Sequence, residues 1–198
     1  MIYVMRHGES IVNVQRRLTC RLYDGDLSPL GREQAAKAAH WFADKNLSCI
    51  LYSPFHRAQQ TAEIVGAQVG IAPTMDERLC EMDCGDLEGR TDEDAWAIWA
   101  SVYERWLTAD WEAAFPGGET YRSAYTRYKA CLDALRAAGN VLLVTHGGIT
   151  NTVLPYLCVN AAALQVRHLD NTGIITLEPE PMTGQYICWS WNLVEHLT

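Results

Sequence analysis

Three short apolar runs, separated by helical patterns, most strongly constrain what this chain can fold into. The runs are IYVM (2–5), CILY (49–52) and VLLVT (141–145), which have the length and composition of buried strands. Strands that alternate with helices along a chain usually form a parallel sheet with helices on both faces. We therefore predict an α/β fold, a three-layer α-β-α sandwich built on a mainly parallel sheet.

Two Ser-Pro pairs and three amphipathic patterns predict the helices. Ser28-Pro29 and Ser53-Pro54 each match a helix start, with serine as N-cap and proline in the first turn. Apolar residues at helical spacing follow each pair, and a third amphipathic pattern covers 120–137. The residues predicted to face the core after the two Ser-Pro pairs are Ala35, Ala38, Ala39, Phe42, Ala58, Ala62, Val65 and Val69.

The remaining segments complete one predicted domain over residues 1–198. Residues 91–115 are rich in tryptophan, alanine and acidic residues, which indicates helix before Pro116-Gly117-Gly118. Alternating patterns at 173–178 and 186–191 predict two final strands, which can form a hairpin. Because the sequence has no internal repeat and no linker-like stretch, we predict a single domain with 91–118 as a helical excursion.

Charge and cysteine content argue against several classes of function. The net charge of −8 disfavours nucleic acid and anionic membranes as main partners. No apolar run is long enough to span a membrane, and no secretory signal pattern is visible. The seven cysteines include no CxxC pair, so we expect reduced thiols and a cytoplasmic protein. Cys80 and Cys84 lack a second ligand pair, so no metal site is predicted.

Two histidines followed by glycine stand directly after predicted strands. Arg6-His7-Gly8 follows the first strand, His146-Gly147-Gly148 follows VLLVT, and Arg57 lies just after the second strand. Ligands bind beyond the carboxyl ends of parallel strands, so these side chains should meet at one sheet edge. Two arginines and two histidines would repel one another there without a counter-anion. The sequence therefore predicts a site for a phosphoryl group.

Five ordered blocks of this sequence resemble the histidine phosphatase superfamily, the phosphoglycerate-mutase-like proteins. The blocks are RHGES, YDGDLSPLGREQA, SPFHRAQQTAE, LCEMDCGDLEGR and VTHGG, which follow one another between Tyr3 and about Leu157. Each block is short, so the resemblance depends on all five blocks occurring in the same order and at the same spacing as in the family. It implies phosphoryl transfer on a small phosphorylated substrate, without a metal or a cofactor.

The resemblance also implies roles for six residues. His7 corresponds to the nucleophile that becomes phosphohistidine, and Glu81 corresponds to the general acid of the phosphatase-like branch. A neutral imidazole is a good nucleophile near pH 7, and arginines can neutralise a phosphoryl group. The role of Glu81 requires that it hold a proton near neutral pH. The implied phosphate-binding residues are Arg6, Asn13, Arg57 and His146.

Alternative roles stay open for several of these side chains. Glu81 could instead be a loop carboxylate that pairs with Arg78 or Arg90. Glu9 is expected to orient its neighbours rather than to serve as the acid. The sequence contains no His-Asp dipeptide, the proton donor of the acid phosphatase branch, which favours Glu81. The remaining histidines are expected to be structural; they are His40, His56, His168 and His196.

Hydrolysis is the predicted reaction, and three other functions stay open beside it. A phosphoglycerate-mutase-type phosphotransferase shares the machinery, and YDGDLSP is mutase-like, whereas DLEGRT and the chain length resemble the phosphatases. A non-catalytic phosphate-binding or partner-binding module would lack the nucleophile or the acid. A zinc hydrolase would use His7, His146 and a cysteine, and a chelator would inhibit it. We predict a metal-independent phosphomonoester hydrolase.

Substrate selection is expected to depend on two segments near the predicted phosphate site. The excursion 91–118 is predicted to lie over the active site, and residues 19–21 (Thr-Cys-Arg) would form another wall. The resemblance leaves the ester open, and a homodimer through the exposed sheet edge is a further expectation from the family. Most tryptophans of the excursion are expected in the core, and the others could cap the site; the four are Trp96, Trp99, Trp106 and Trp111.

Overall fold

One mixed sheet forms the middle layer of the molecule. The computed structural model describes residues 1–21, 24–163 and 168–198; Tyr23, in the second family block, lies outside them. The strands are β1 (Ile2–Arg6), β2 (Cys49–Tyr52), β3 (Thr74–Met75), β4 (Val141–Thr145), β5 (Ile174–Pro179) and β6 (Tyr186–Leu193). In the described part of the chain, these strands form a six-stranded sheet with the order β3-β2-β4-β1-β5-β6.

The sheet is parallel over four strands and antiparallel at one edge. β1 and β2 both run parallel to β4, and β3 runs parallel to β2. β5 is antiparallel to β1, and β6 is antiparallel to β5. Because few residues separate β5 from β6, the chain can reverse there only into an antiparallel hairpin. The predictions of a mainly parallel sheet and of a final hairpin are confirmed.

Helices cover both faces of the sheet. They are α1 (Ile11–Val14), α2 (Pro29–Phe42), α3 (His56–Val69), α4 (Glu93–Leu107), α5 (Tyr121–Ala134) and α6 (Gly147–Leu157). Tyr3 and Met5 of β1 pack in the cluster formed with α2 and α3. Ile2 and Val4 pack in a second cluster with α4, α5 and α6, since alternate side chains of a strand face opposite ways. The three-layer α-β-α prediction is therefore confirmed.

The two Ser-Pro pairs have different roles in the structure. Ser28 is the N-cap of α2, where its Oγ accepts a hydrogen bond from the Gly31 N–H at 3.0 Å. The predicted start at Ser53 is wrong, because α3 begins at His56 after Phe55. The Ser53 N–H donates to the carbonyl of Val144, so Ser53 extends the hydrogen bonding between β2 and β4 by one residue. Its hydroxyl is used elsewhere, as described below.

The excursion contains a shorter helix than the sequence indicates. α4 begins after Asp92, whose side chain accepts from the Ala95 N–H, and ends at Leu107 rather than at 115. Ala109 has a φ of +54°, a left-handed conformation that ends the helix. The chain then folds back, and the Trp106 indole donates to the Ala113 carbonyl at 3.0 Å. The third predicted helix is confirmed as α5, which ends before 137.

Two glycines let the loop after β1 pass against the first turn of α2. A Cβ atom on Gly8 would lie 2.5 Å from the Gly31 carbonyl oxygen, and one on Gly31 would lie 1.9 Å from the Glu9 carbonyl oxygen. The Ser28 hydroxyl donates to Glu9 Oε1 at 2.6 Å. Glu9 therefore orients its neighbours, as expected, by holding the start of α2 against the loop after β1. The close approach places His7 at the carboxyl edge of the sheet.

Among the described residues, no helix combines the length and the apolar character that crossing a membrane requires. The longest of them, α4, has 15 residues.

Trp106 tests the packing of the excursion against the core. Trp106→Ala removes a fully buried indole and its hydrogen bond to Ala113, so we expect the free energy of unfolding to fall by about 3–5 kcal/mol. The matched control is the next residue, Leu107→Ala, whose side chain is 44 % exposed. The control should change stability by about 0.5 kcal/mol or less in urea titrations. Equal losses in the two variants would contradict this packing.

Candidate active site

Strand register brings three polar side chains to one edge of the sheet. Arg6 at the end of β1 pairs with Thr145 at the end of β4, and Tyr52 of β2 pairs with Val144. The residues that follow these strands are therefore neighbours, although they are far apart in sequence. They are His7, Ser53 and His146.

Arg57 links the two histidines. From the first turn of α3, its Nε donates to His7 Nε2 at 3.2 Å, and its second terminal nitrogen lies 3.4 Å from His146 Nδ1. The two imidazole centroids are 5.1 Å apart. The exposed fractions are 3 % for His7, 2 % for Arg57 and 1 % for His146. The structure thus brings together the side chains that the sequence placed at one edge.

Hydrogen bonds assign the proton on each imidazole. His7 Nδ1 lies 2.7 Å from the Gly8 carbonyl, which can only accept, so Nδ1 carries the hydrogen and Nε2 has the lone pair. In His146, Nδ1 accepts from Arg57, which leaves Nε2 as the donor to the Ser53 hydroxyl at 2.7 Å. Ser53 was missed as a site residue because its Ser-Pro pair matches a helix start. Its position directly after β2 was the available signal.

Burial and positive charge keep both imidazoles neutral. Burial, followed by the charges of Arg57 and Arg6, lowers the pKa of His7 well below its ordinary value. Burial and Arg57 likewise lower the pKa of His146 well below the ordinary value. Near pH 7, His7 is therefore a neutral imidazole whose Nε2 lone pair faces the arginine cage.

Arg6 carries an unsatisfied donor in this cage. One terminal nitrogen donates to the Leu169 carbonyl at 2.8 Å and lies 3.0 Å from His168 Nε2. Its Nε is buried and has no hydrogen-bond partner in the described part of the chain. An unsatisfied buried donor costs about 1–3 kcal/mol, a cost that a bound anion would remove. His168, which the sequence placed outside the site, lines the same cavity beside Arg6.

Asp24 and Thr19 hold the Arg57 guanidinium from outside the cage. Asp24 Oδ1 lies 3.4 Å from one terminal nitrogen, and the Thr19 carbonyl accepts from the other at 3.1 Å. Burial lowers the pKa of Arg57, and the charges of Asp24 and Glu81 oppose that shift. The role of Asp24 could not be inferred from the sequence, because DGD also matches a simple turn.

Glu81 binds the first turn of α6. Its carboxylate accepts from the N–H groups of Gly148 at 2.9 Å, Ile149 at 2.6 Å and Met82 at 2.9 Å. The alternative ion pairs are not formed, because Arg78 bonds Asp76 and Arg90 bonds Asp92. Two of these donors lie in the first turn of α6, and the three contacts fix the position of a carboxylate that lines the cavity in front of His7.

Asn13 is fixed by the short helix that carries it. Its Oδ1 accepts from the N–H and the hydroxyl of Ser10, at 3.1 and 2.8 Å, in a capping box at the start of α1. Because the oxygen is used there, the amide nitrogen is the group left for a ligand. Asn13 lines the same cavity as Arg6, His7, Arg57 and Glu81.

The cavity in front of His7 has a volume of about 200 Å³ and one aromatic wall. Trp96, Trp99 and Tyr103 of α4 form that wall, and Trp99 stacks on Tyr103 with centroids 4.6 Å apart. Trp106 is buried in the core, whereas Trp111 is 37 % exposed. We expected most tryptophans of the excursion in the core, and among the four only Trp106 is fully buried there.

The second expected wall is formed only in part. Thr19 and Cys20 line the cavity. Arg21 instead pairs with Asp83 at 3.3 Å and lines a separate surface depression.

The zinc alternative is not supported by the arrangement of ligands. Among the described residues, the one group of three candidate ligand atoms that lie close together is Cys20, Cys84 and Glu88. This group includes neither His7 nor His146, and Cys84 lies beside Cys20 rather than Cys80. The two histidines instead contact Arg57, a cation that opposes metal binding.

Comparison with known proteins agrees with this geometry. The family model described as "Histidine phosphatase superfamily (branch 1)" matches residues 2–192. "Putative phosphoserine phosphatase 2" of Hydrogenobacter thermophilus is 31 % identical over 191 residues, which cover 94 % of each chain. "Phosphoglycerate mutase-like protein 4" of Arabidopsis thaliana is 30 % identical over 87 % of this chain and 76 % of its own.

A solved structure shows the same fold over nearly the whole chain. The mycobacterial glucosyl-3-phosphoglycerate phosphatase superposes with a TM-score of 0.80 at 28 % identity, covering 96 % of this chain and 98 % of its own. The family model, the relatives and this structure all agree with the resemblance of the five sequence blocks. The chain belongs to branch 1 of the histidine phosphatase superfamily.

Proposed function

We propose that this chain hydrolyses a small phosphomonoester through a phosphohistidine at His7, without a metal ion. The observation that carries the proposal is the neutral His7 imidazole, whose Nε2 lone pair faces Arg57 in a buried cage. The unsatisfied Nε of Arg6 beside it supports an anionic ligand. The family match and the phosphatase names among the relatives also support a phosphatase.

The first step is transfer of the phosphoryl group to His7. Arg6, Arg57 and the Asn13 amide bind the non-bridging oxygens and neutralise the charge that develops on them. His146 supports this binding by holding Arg57, since both of its ring nitrogens contact protein groups. His7 Nε2 forms a bond to phosphorus while the ester P–O bond breaks. The leaving oxygen takes a proton from Glu81, which must gain that proton when the phosphate binds, since the nearby anionic charge disfavours a carboxylate.

The second step is hydrolysis of the phosphohistidine. Glu81, now ionised and held by the α6 N–H groups, accepts a proton from water. The water oxygen attacks phosphorus, the N–P bond breaks, and inorganic phosphate leaves. The three hydrogen bonds that hold the Glu81 carboxylate suit this step directly.

A phosphotransferase is the second candidate, and it is supported by the mutase-like relative. In that reaction the phosphohistidine would give its phosphoryl group to a second hydroxyl instead of to water. Product analysis with 3-phosphoglycerate, with and without 2,3-bisphosphoglycerate, separates the two reactions. Hydrolysis releases inorganic phosphate in both conditions.

The cellular location of this protein and its binding partners are further parts of the proposal. We propose a cytoplasmic protein with no nucleic-acid or membrane partner, on the net charge of −8 and the cysteine pattern of its sequence. A homodimer remains a proposal from the family resemblance.

His7→Ala should abolish phosphatase activity, because no other group replaces the attacking nitrogen. We expect kcat for p-nitrophenyl phosphate to fall by at least about 10³-fold, in the range found when nucleophiles are removed. The matched control is His40→Ala, an exposed histidine of α2, which should retain wild-type activity. Substantial activity in His7→Ala would exclude His7 as nucleophile.

Glu81→Gln should lower the rate of ester cleavage much more for a basic leaving group than for a good leaving group. A glutamine cannot deliver a proton, so kcat/KM should fall by about 10²–10⁴-fold for an alkyl phosphate. An aryl phosphate with a good leaving group needs no proton in the first step and should lose far less in that step. The first step is best measured in single turnovers. Equal losses with both esters would exclude Glu81 as the acid.

The neutral state of His7 predicts a pH dependence of stability. Its pKa is lowered on folding, so the unfolded chain binds a proton first as the pH falls below about 6.5. The free energy of unfolding should therefore fall on acidification, by up to about 1.4 kcal/mol per pH unit for each such histidine. Urea titrations in phosphate-free buffer at pH 7.5, 6.5 and 5.5 measure the slope.

Two histidine variants test whether His7 causes this pH dependence of the free energy of unfolding. His7→Asn should make the pH dependence shallower, whereas His40→Asn should leave it as in the wild type, because His40 is exposed. If His7→Asn has the wild-type slope, His7 is not kept neutral by the fold.

A further inference from the structure

The cavity has a second polar feature beyond the phosphate cage. Asn151 lies on α6 and lines the cavity, and it is 4 % exposed. Its Oδ1 is buried and has no hydrogen-bond partner within the described ranges. A buried acceptor without a donor carries a cost of about 1–3 kcal/mol, so such a group in a cavity wall points to a donor on a ligand.

The aromatic wall stands next to this acceptor. Asn151 and Tyr103 line the same cavity, and Tyr103 stacks on Trp99 with an interplanar angle of 18°. Trp96 contacts Trp99 edge to face, with centroids 5.7 Å apart. Rings placed in this way bind a flat or ring-shaped group through large contact area.

The hydrogen-bond acceptors near Asn151 argue against an acidic leaving group. Asn151 follows Gly148 and Ile149, the residues whose N–H groups bind the Glu81 carboxylate. This side of the cavity therefore presents two oxygen acceptors and aromatic faces. A carboxylate placed against Asn151 Oδ1 would leave that acceptor unpaired, whereas a hydroxyl or an N–H group would satisfy it.

Arg17 also lines the cavity, and it is engaged with protein groups. One terminal nitrogen of Arg17 donates to the Gly89 carbonyl at 2.7 Å. The cavity, at about 200 Å³, is also smaller than the ~300–1,000 Å³ typical of pockets for drug-sized ligands.

We infer that the substrate is the phosphomonoester of a small uncharged alcohol that carries a ring and a hydrogen-bond donor, which Asn151 Oδ1 accepts. This inference rests on the proposed function and narrows it. Trp99 and Tyr103 contact the ring, and Asn151 determines specificity by accepting from its hydroxyl or N–H group. A sugar ring and a hydroxylated aromatic ring share this chemistry.

Matched esters test the inference by steady-state kcat/KM. The aromatic pair is 2-(4-hydroxyphenyl)ethyl phosphate and 2-phenylethyl phosphate, and the sugar pair is glucose 6-phosphate and its open-chain analogue sorbitol 6-phosphate. Phosphoserine and 3-phosphoglycerate represent acidic leaving groups. We expect at least one donor-bearing ring ester to exceed its partner and both acidic esters by about tenfold. A tenfold preference for an acidic ester would overturn the inference.

Variants show whether Asn151 and the wall act on the leaving group. Asn151→Ala and Trp99→Leu should each lower kcat/KM for the preferred ring ester by about tenfold. Acetyl phosphate, whose leaving group is too small to span the wall, should change less than threefold. The inhibition constant for inorganic phosphate should stay within twofold, because the arginine cage is unchanged. Equal losses with the ring ester and acetyl phosphate would make these residues structural.

Failure of the inference and failure of the proposed function give different results. If the wild type hydrolyses acetyl phosphate and p-nitrophenyl phosphate in a His7-dependent manner but does not prefer ring esters, the assignment of the leaving group is wrong and the phosphatase stands. If it hydrolyses none of these esters, the proposed function itself is wrong. Circular dichroism and thermal melting of each variant confirm that it is folded.

Discussion

The contact of one buried guanidinium with two imidazoles is the interaction on which the site depends. Arg57 donates to His7 Nε2 and lies against His146 Nδ1, so it orients both rings. Burial, and after it the charge of Arg57, lowers the pKa of both histidines and keeps them neutral. A positive group this deeply buried needs compensation. Asp24 supplies part of it, and a bound phosphoryl group would supply the rest. In the proposed function, the positive charge of Arg57 both binds the phosphoryl group and helps to keep the attacking imidazole neutral.

The fold brings these side chains together through the register of its strands and one close contact between a loop and a helix. Parallel pairing of β1, β4 and β2 places residues 7, 53 and 146 side by side. The contact of Gly8 with Gly31 sets the path of the chain that carries His7, and the first turn of α3 delivers Arg57. The excursion adds the aromatic wall from α4. Each element thus contributes one part of a single cavity, which explains how such distant segments can act together.

The sequence predicted the elements well and the finer polar contacts poorly. Buried strands and the Ser28 cap follow from local patterns, and His7, Arg57 and His146 follow from positions after strands. Ser53 was misread, because the same Ser-Pro pattern suits a cap and a strand end. Asp24, His168 and Asn151 carry no local signal, since their roles depend on side chains brought near by tertiary structure. The hydrogen bonds from the α6 N–H groups to Glu81 likewise depend on tertiary structure.

The central claim is that His7 Nε2 receives the phosphoryl group, and covalent mapping tests it most directly. Wild-type protein mixed with p-nitrophenyl phosphate is quenched within milliseconds in alkali, which preserves phosphohistidine, then digested and analysed by mass spectrometry. We expect one phosphoryl group on the peptide that contains MRHGES, located on residue 7 by fragmentation. A phosphoryl group on any other residue, or rapid turnover with no phosphorylated peptide and no burst of p-nitrophenol, would contradict it.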